Sequence, residues 1–459
     1  MSNGKLSEVA AMVDGTLLGD DRTFVGVSTD TRTLTSGELY IALTGPNFDG
    51  HAFVARAQEL GAAGALVANA QDSDLPQVVA GDTRVALGRY AAAWRARFAI
   101  DVIGVTGSNG KTSVKEMLLA ILATQGDTLA TRGNLNNEIG VPLTLLRLRR
   151  RHRAAVIEMG ASAPDEIGKL ARLVGPNIGI VTNAAPAHLE GFGSVEAVAR
   201  TKGQLLAQLP QDGCAVINLD DAFAGLWREI AGQRRIITFG ESDDADVTFS
   251  GFTQHVRDGG ARIVFDVHAG EQTQRFDVPV AGRHNARNAL AATAACLALG
   301  LDLATCAQGL SQVDMAAGRL QVLSTPRGAK VIDDSYNANP ASVRAAIQFL
   351  AEQAEPGWLV LGDMGELGDD ARELHAQVGK RARECGIRRL YAVGELSRAA
   401  ATAFGAGGRW FESVDALIEA LVDDAHGEIN VLVKASRSMR LERVVHALRQ
   451  GVRARVQEG

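Results

Sequence analysis

Short, wholly apolar blocks recur along the chain, separated by longer stretches in which apolar side chains return every three or four positions. In the middle of the chain the blocks fall at residues 102–105, 154–157, 178–181, 215–217 and 236–239. Runs of this length without polar alternation predict strands buried on both faces, the pattern of a parallel sheet with helices on either side. The same pattern returns at 331–333, 358–361, 390–393 and 429–433, with helical stretches at 342–354 and 414–422. That predicts a second doubly wound unit. Residues 24–27, 39–43 and 65–67 read as strands and 51–60 as a helix, giving a smaller mixed α/β unit at the N-terminal end. Residues 84–97 form an amphipathic linking helix. Residues 246–280 change to β-rich runs split by turns such as Asp258-Gly259-Gly260, a hairpin set added to the sheet. Residues 288–299 are an alanine-rich helix. The expected domains are 1–83, 84–314 and 315–459, an α/β protein throughout.

Length supports that division, since 459 residues exceed what one compact core accommodates. With 46% hydrophobic and 22% charged residues, the composition is that of an ordinary globular protein. A formal charge of −6 gives no reason to expect nucleic-acid binding. The basic run from Arg147 to Arg153 reads as a solvated loop before a strand. Cys214, Cys296, Cys306 and Cys385 are far apart, which predicts thiols in a reducing compartment and not a disulfide framework or a zinc site. No stretch reads as a signal peptide or a membrane span, so the expectation is a cytoplasmic protein without membrane insertion.

The block at 102–105 leads into Thr106-Gly107-Ser108-Asn109-Gly110-Lys111-Thr112-Ser113, followed by helical spacing through Met117 and Ile121. Glycines let backbone N–H groups converge without a Cβ in the way, and the helix start adds its positive end. Together these make a phosphate cradle. Lys111 is placed to reach the outer phosphates of a nucleotide, and the Thr112 hydroxyl to hold Mg²⁺. The loop is a shorter variant of the general pattern, with Val105 where a glycine is usual. The central unit therefore reads as a phosphate-loop, parallel-sheet ATPase domain.

Other candidates cluster after predicted strands. Glu158 ends the block at 154–157, where a carboxylate beside a phosphate loop suits a hard cation. His188 follows the block at 178–181; a structural histidine and a metal or substrate role are both open there. Lys202 lies in a helix opened by Ser194, where a solvated lysine is the simplest reading. Asn134, Asn136 and Asn137 sit in an amide-rich loop that can bind a polar ligand or merely cap a turn. Asn288 stands just beyond Asn285, itself a natural N-cap residue for the alanine-rich helix. Arg319 and Asp334 bring opposite charges to a domain boundary, where ligands commonly bind.

Taken in order, Gly107-x-x-Gly110-Lys111-Thr112, Glu158-Met159-Gly160, His188-Leu189-Glu190-Gly191, Gly282-x-His284-Asn285-x-x-Asn288 and Gly318-Arg319 resemble the Mur ligases of bacterial peptidoglycan synthesis. The resemblance runs almost the length of the chain. Asp30-Thr31-Arg32, Gly133-Asn134-x-Asn136-Asn137, Asp334-Ser335-Tyr336-Asn337-Ala338-Asn339-Pro340 and Gly362-Asp363-Met364-x-Glu366-Leu367-Gly368 are similar to the branch that joins D-alanyl-D-alanine to UDP-N-acetylmuramoyl-tripeptide. A diamino-acid-adding Mur ligase and a folate polyglutamate-type ligase are the alternatives of the same architecture.

The resemblance implies three domains, of which the last is Rossmann-like, and an ATP-dependent amide ligase acting as a monomer. Transfer of the γ-phosphoryl group makes an acyl phosphate, which an incoming amine then attacks. It also implies roles. Gly107, Ser108, Asn109, Gly110, Lys111, Thr112 and Ser113 hold the ATP phosphates. Asn288 meets adenine, with Arg319 and Asp334 near ribose and phosphate. Thr112, Glu158, His188 and a CO₂-derived carbamate on Lys202 hold two Mg²⁺ ions. Ser28, Asp30, Arg32, Asn47, Asp49 and His51 receive the uridine end of the sugar nucleotide, and Asn134, Asn136 and Asn137 are further substrate-binding residues. Asn337 and Asn339 receive the dipeptide. Two departures stand out: Lys202-Gly203-Gln204 replaces the usual Lys-Gly-Glu, and Lys434-Ala435-Ser436-Arg437 the usual Lys-Gly-Ser-Arg.

Overall fold

The computed structural model describes residues 4–186, 189–257 and 260–451. The N-terminal unit carries a five-stranded sheet of β1 (Thr16–Leu18), β2 (Val27–Ser28), β3 (Leu39–Ile41), β4 (Gly64–Val67) and β5 (Gln77–Val79), in the order β1-β5-β4-β3-β2. Only β1 runs antiparallel to its neighbour. Side chains alternate between two buried faces. Leu39, Ile41 and Leu66 pack toward α1 (Leu6–Val13), whereas Tyr40, Ala65 and Val67 pack toward α2 (Val54–Glu59). The strand expected at 24–27 is broken into two short pieces, because Val25 and Leu39 donate to the backbone carbonyls of Gly37 and Gly26.

The linking helix α3 (Thr83–Arg95) starts where the Asp82 carboxylate accepts from the N–H groups of Arg84 and Val85. Its inner face, with Leu87, Tyr90 and Trp94, belongs to one buried cluster shared by α1, β3 and the central domain.

The central sheet has nine strands: β6 (Asp101–Thr106), β7 (Thr128–Ala130), β8 (Ala154–Glu158), β9 (Ile178–Val181), β10 (Cys214–Asn218), β11 (Arg235–Phe239), β12 (Val247–Arg257), β13 (Gly260–Ala269) and β14 (Gln272–Val278). Their order is β7-β8-β6-β9-β10-β11-β12-β13-β14. The strands are parallel as far as β12, and β12 to β14 form the expected antiparallel hairpins. The flanking helices used below are α4 (Lys111–Leu122), α5 (Gly140–Leu145), α6 (Glu166–Val174), α7 (Val195–Ala207) and α8 (Arg283–Ala298). Ser194 caps α7, its Oγ accepting from Ala197 N. Helix α8 begins earlier than its alanine-rich core suggests. Its N-cap is Gly282, and Asn285 lies inside the first turn. The Asn285 amide donates to Ala281 O at 2.8 Å, closing that turn from within.

The third domain holds β15 (Gln321–Ser324), β16 (Lys330–Asp333), β17 (Gly357–Gly362), β18 (Arg389–Val393), β19 (Gly408–Phe411) and β20 (Asn430–Lys434), ordered β15-β16-β20-β17-β18-β19. All neighbours are parallel except β15 and β16. Helix α9 (Pro340–Ala351) follows β16 and carries Asn339 as N-cap with proline behind it. No helix among the described residues is long and apolar enough to cross a membrane.

Candidate active site

The parallel registers bring the carboxyl ends of β8, β6, β9, β10 and β11 side by side, with Glu158 opposite Val105 and Phe239 opposite Asn218. Ligands bind outside such strand ends. Here a cavity of about 1240 Å³ opens, lined by the phosphate loop, the amide-rich loop, the start of α8 and the third domain.

Residues 107–110 turn sharply, with positive φ at Gly107 and Gly110. A Cβ on Gly107 would collide with Thr182 Oγ1, and one on Gly110 would lie 2.5 Å from Asn288 Oδ1. Only glycine fits either place. The loop is laced to the segment after β9: Ser108 N donates to Asn183 O at 2.9 Å and Asn109 N to Asn183 Oδ1 at 3.0 Å. Lys111, at the first position of α4, folds back on the loop and donates to Gly107 O at 2.8 Å. Burial holds its pKa below the usual lysine range; Glu158 opposes that shift and Arg319 adds to it.

Thr112 Oγ1 donates to Glu158 Oε2 at 3.0 Å, and Asn136 Nδ2 to Glu158 Oε1 at 2.8 Å. A buried carboxylate is thus aimed at the hydroxyl predicted to share a cation with it. Lys202 projects from α7 into the same wall, buried, with no hydrogen bond or ion pair among the described residues. Burial first, and then the charge of Lys111, lowers its pKa well below that of a free lysine. Both effects favour the neutral amine over the charged form. Gln204 is used elsewhere: it accepts from Gly168 N at 3.0 Å and donates to Asp165 Oδ1 at 2.6 Å, bracing the start of α6. A glutamate there would face Asp165 with like charge. His188 lies outside the described residues.

On the nucleotide side, Asn288 donates to Asn285 Oδ1 at 2.8 Å and turns its own oxygen toward Gly110. Arg319 lies over the Tyr336 ring at 4.1 Å and donates to Thr112 Oγ1 at 3.3 Å, while its buried Nε has no partner. Asp334 accepts from Lys434 Nζ at 2.6 Å. Asn339 reaches across the domain boundary, Nδ2 donating to Asn109 Oδ1 at 2.7 Å, while its Oδ1 caps α9. Asn337 Oδ1 accepts from Ala338 N, and its backbone carbonyl accepts from Lys434.

The N-terminal candidates do not line this cavity. Ser28 bonds to the backbone of Asp30, and Asp30 grips Arg32 through both carboxylate oxygens. His51 uses both ring nitrogens, on Asp49 Oδ1 and Ala68 N. Asn47 is exposed at the tip of the small hairpin joining residues 44–45 to 48–49. Arg84 links this hairpin to the site, donating to Thr44 O and to Glu138 of the amide-rich loop.

Among the wall residues not singled out from the sequence are Asn218, Asp220, Asp221 and Phe239. Their signal was available, since each lies at or just past the end of a parallel strand. Asp221 accepts from Ala184 N at 2.8 Å and so holds the segment after β9; burial raises its pKa. His284, in the same wall, is pushed down to about 4 by burial, with Arg287 and Lys434 adding to the shift.

Three stretches match Mur ligase families: residues 23–96 the Mur ligase family catalytic domain, 105–296 the Mur ligase middle domain, and 318–437 the Mur ligase glutamate ligase domain. Over 449 residues the chain is 42% identical to the UDP-N-acetylmuramoyl-tripeptide–D-alanyl-D-alanine ligase of Escherichia coli strain K12, spanning 97% of this chain and 98% of that one. This chain belongs to the Mur ligase family. Among solved structures, this Mur ligase is similar to MurF from Acinetobacter baumannii, with a TM-score of 0.90 and 35% identity over 97% of this chain and 98% of that one. It is also similar to the MurF ligase of Thermotoga maritima in complex with ADP, with a TM-score of 0.81 and 26% identity over 93% and 97%. The three-domain Mur ligase architecture and its use of ATP follow.

Proposed function

We propose that this chain joins D-alanyl-D-alanine to the terminal carboxylate of UDP-N-acetylmuramoyl-tripeptide, with ATP converted to ADP and phosphate, inside the cytoplasm. The observation that carries this reading is the cavity shared by the phosphate loop and the polar segment 334–339, tied by the Asn109–Asn339 bond. It supports an enzyme in which one domain phosphorylates and another delivers the nucleophile.

Each residue then has a task that its surroundings allow. The N–H groups of residues 107–113 and the start of α4 cradle the phosphates. Lys111 exchanges its contacts with Gly107 and Ser108 for the transferring group, whose charge it neutralises. Arg319, with a buried Nε awaiting an acceptor, turns toward the same phosphates. The amine of the dipeptide attacks the acyl phosphate, and the tetrahedral intermediate expels phosphate. Closing of the domains around the substrates keeps water from hydrolysing the acyl phosphate first. Asn288 and the start of α8 form the nucleoside end, and the loops at Ser28–Arg32 and Asn47–His51 receive the uridine end.

The donor set fits Mg²⁺. Thr112 and Glu158 offer hard oxygens within 3.0 Å of each other. In this proposal they hold one ion, and Glu158, His188 and a carbamate on Lys202 hold a second. When bound, the ions supply charge neutralisation at the phosphates. The buried Lys202 amine, without a hydrogen bond or ion pair among the described residues and with its pKa lowered by burial, supports the carbamate, since only a neutral amine adds to CO₂.

The test is ADP release from ATP with UDP-N-acetylmuramoyl-tripeptide present, comparing D-alanyl-D-alanine with a diamino acid and with glutamate. Release that requires the dipeptide is expected. Release driven by either amino acid overturns the assignment.

A further inference from the structure

Three cations line the cavity from the third domain: Arg319, Lys434 and Arg437. Two are committed to partners within the cavity wall. Lys434 is buried and donates to Asp334 Oδ2 at 2.6 Å and Asn337 O at 3.0 Å. Arg319 is turned to the phosphate loop and donates to Thr112 Oγ1. Arg437 differs from both. Its side chain is 62% exposed, and its partner Glu442, at 3.3 Å, is 41% exposed. Ion pairs that open to water contribute little, so this guanidinium exchanges partners at small cost.

The backbone beneath Arg437 is nevertheless fixed. Ser436 Oγ accepts from Gly365 N at 2.7 Å, and Ser436 N donates to Asp363 O at 3.0 Å. Ala435 is fully buried, and a Cβ on Gly362 would lie 2.6 Å from its own. The methyl group that replaces the usual glycine therefore fills the space above Gly362. The segment leaves β20, which sits between β16 and β17 at the centre of its sheet. Arg437 is thus an exposed cation on a fixed backbone, beside the Tyr336 ring at 5.7 Å.

On the reading above, the third domain delivers a dipeptide whose amine must enter the central-domain site. An extended dipeptide carries its carboxylate about 7 Å behind its amine, toward the third domain. That carboxylate needs a donor, and a guanidinium takes a carboxylate through two parallel hydrogen bonds. We propose that Arg437 receives the C-terminal carboxylate of the incoming dipeptide, so that the enzyme selects acceptors ending in a free carboxylate. This rests on the ligase assignment and adds a specificity residue to it.

The test pairs two acceptors with three proteins: D-alanyl-D-alanine and its C-terminal amide, with the parent, Arg437→Met and Arg437→Lys. The parent is expected to prefer the acid by roughly tenfold to a hundredfold in kcat/KM, the range for a hydrogen bond to a charged group. Arg437→Met raises the KM for the acid by about that factor and leaves the amide, ATP and the sugar nucleotide unchanged. Arg437→Lys retains part of the preference. A methionine variant that still prefers the acid as strongly as the parent overturns the proposal, as does an equal loss on both acceptors or a parent without preference. If the parent ligates neither acceptor while releasing ADP with another amino acid, the ligase assignment fails and this residue's role falls with it.

Discussion

Toward the N-terminal domain, the central domain is joined by continuous apolar packing. Leu6 and Val9 of α1, Leu39 and Leu66 of the small sheet, Tyr90 and Trp94 of α3, and Leu145, Ile167 and Leu170 of the central domain lie in one buried cluster. Toward the third domain, the facing surface is the polar cavity, crossed by Asn339–Asn109 and Arg319–Thr112. Apolar packing between the two among the described residues includes Val256, Ala261, Ala281 and Leu320 on the hairpin side, and Met315 against the central core. A junction filled with side chains resists displacement, because interiors pack at crystal-like density. One bridged by a few hydrogen bonds separates and reforms readily. The third domain, proposed above to bring the nucleophile, is attached by the second kind of junction, where substrates must enter and leave.

The sharpest contrast is expected in activity. Lys111→Ala on the polar side should lower turnover by about a hundredfold or more with the melting midpoint within a few degrees of the parent; steady-state ADP release beside thermal unfolding checks both. Lys202→Ala should be nearly inactive and regain part of its rate with short carboxylic acids. Full activity without them would make Lys202 a structural lysine only. On the apolar side the effects reverse. Trp94→Ala removes a buried ring that packs against Tyr90 and Phe98, and should cost about 3–5 kcal/mol of stability by urea titration with kcat per folded molecule unchanged.

A smaller effect comes from His284. Its pKa in the fold lies near 4 against 6.5 for the free side chain. The unfolded chain therefore takes up the proton first as pH falls. Stability is full above pH 6.5, declines toward pH 4 by no more than about 3 kcal/mol, and changes no further below. His284→Gln should flatten that part of the melting-midpoint profile. The smallest effect is Asn339→Ala, which loses a helix cap of about 1 kcal/mol and the bridge to Asn109. It should raise KM for ATP and dipeptide together. A change in the dipeptide alone would return Asn339 to the contact role expected from its motif.

The comparison also separates what the chain discloses from what it hides. Apolar blocks located the long parallel strands, because a strand buried on both faces admits no polar interruption. The glycine loop was legible because φ at Gly107 and Gly110 excludes other residues. Glu158 was legible because it ends an apolar block. Asp221 was missed although it lies just past a strand end, since its partner is a backbone N–H thirty-seven residues away, and backbone donors leave no mark on composition. For the same reason the motif around Asn339 did not disclose its bond to Asn109, which is set by how two domains meet. The edge strands β15 and β19, four residues each, lacked the unbroken apolar character that betrays buried neighbours.

The apolar junction also governs how the protein can be made. Ile167, Leu170, Ala171 and Val174 close the same cluster that Tyr90 and Trp94 begin. A nascent chain that has left the ribosome only as far as Arg95 carries one face of its small sheet uncovered. At about 5–20 residues per second, synthesis reaches Val174 some 4–16 s later. During that interval the N-terminal segment keeps an apolar face uncovered, whereas the third domain, with apolar clusters largely its own, can fold without waiting for another domain.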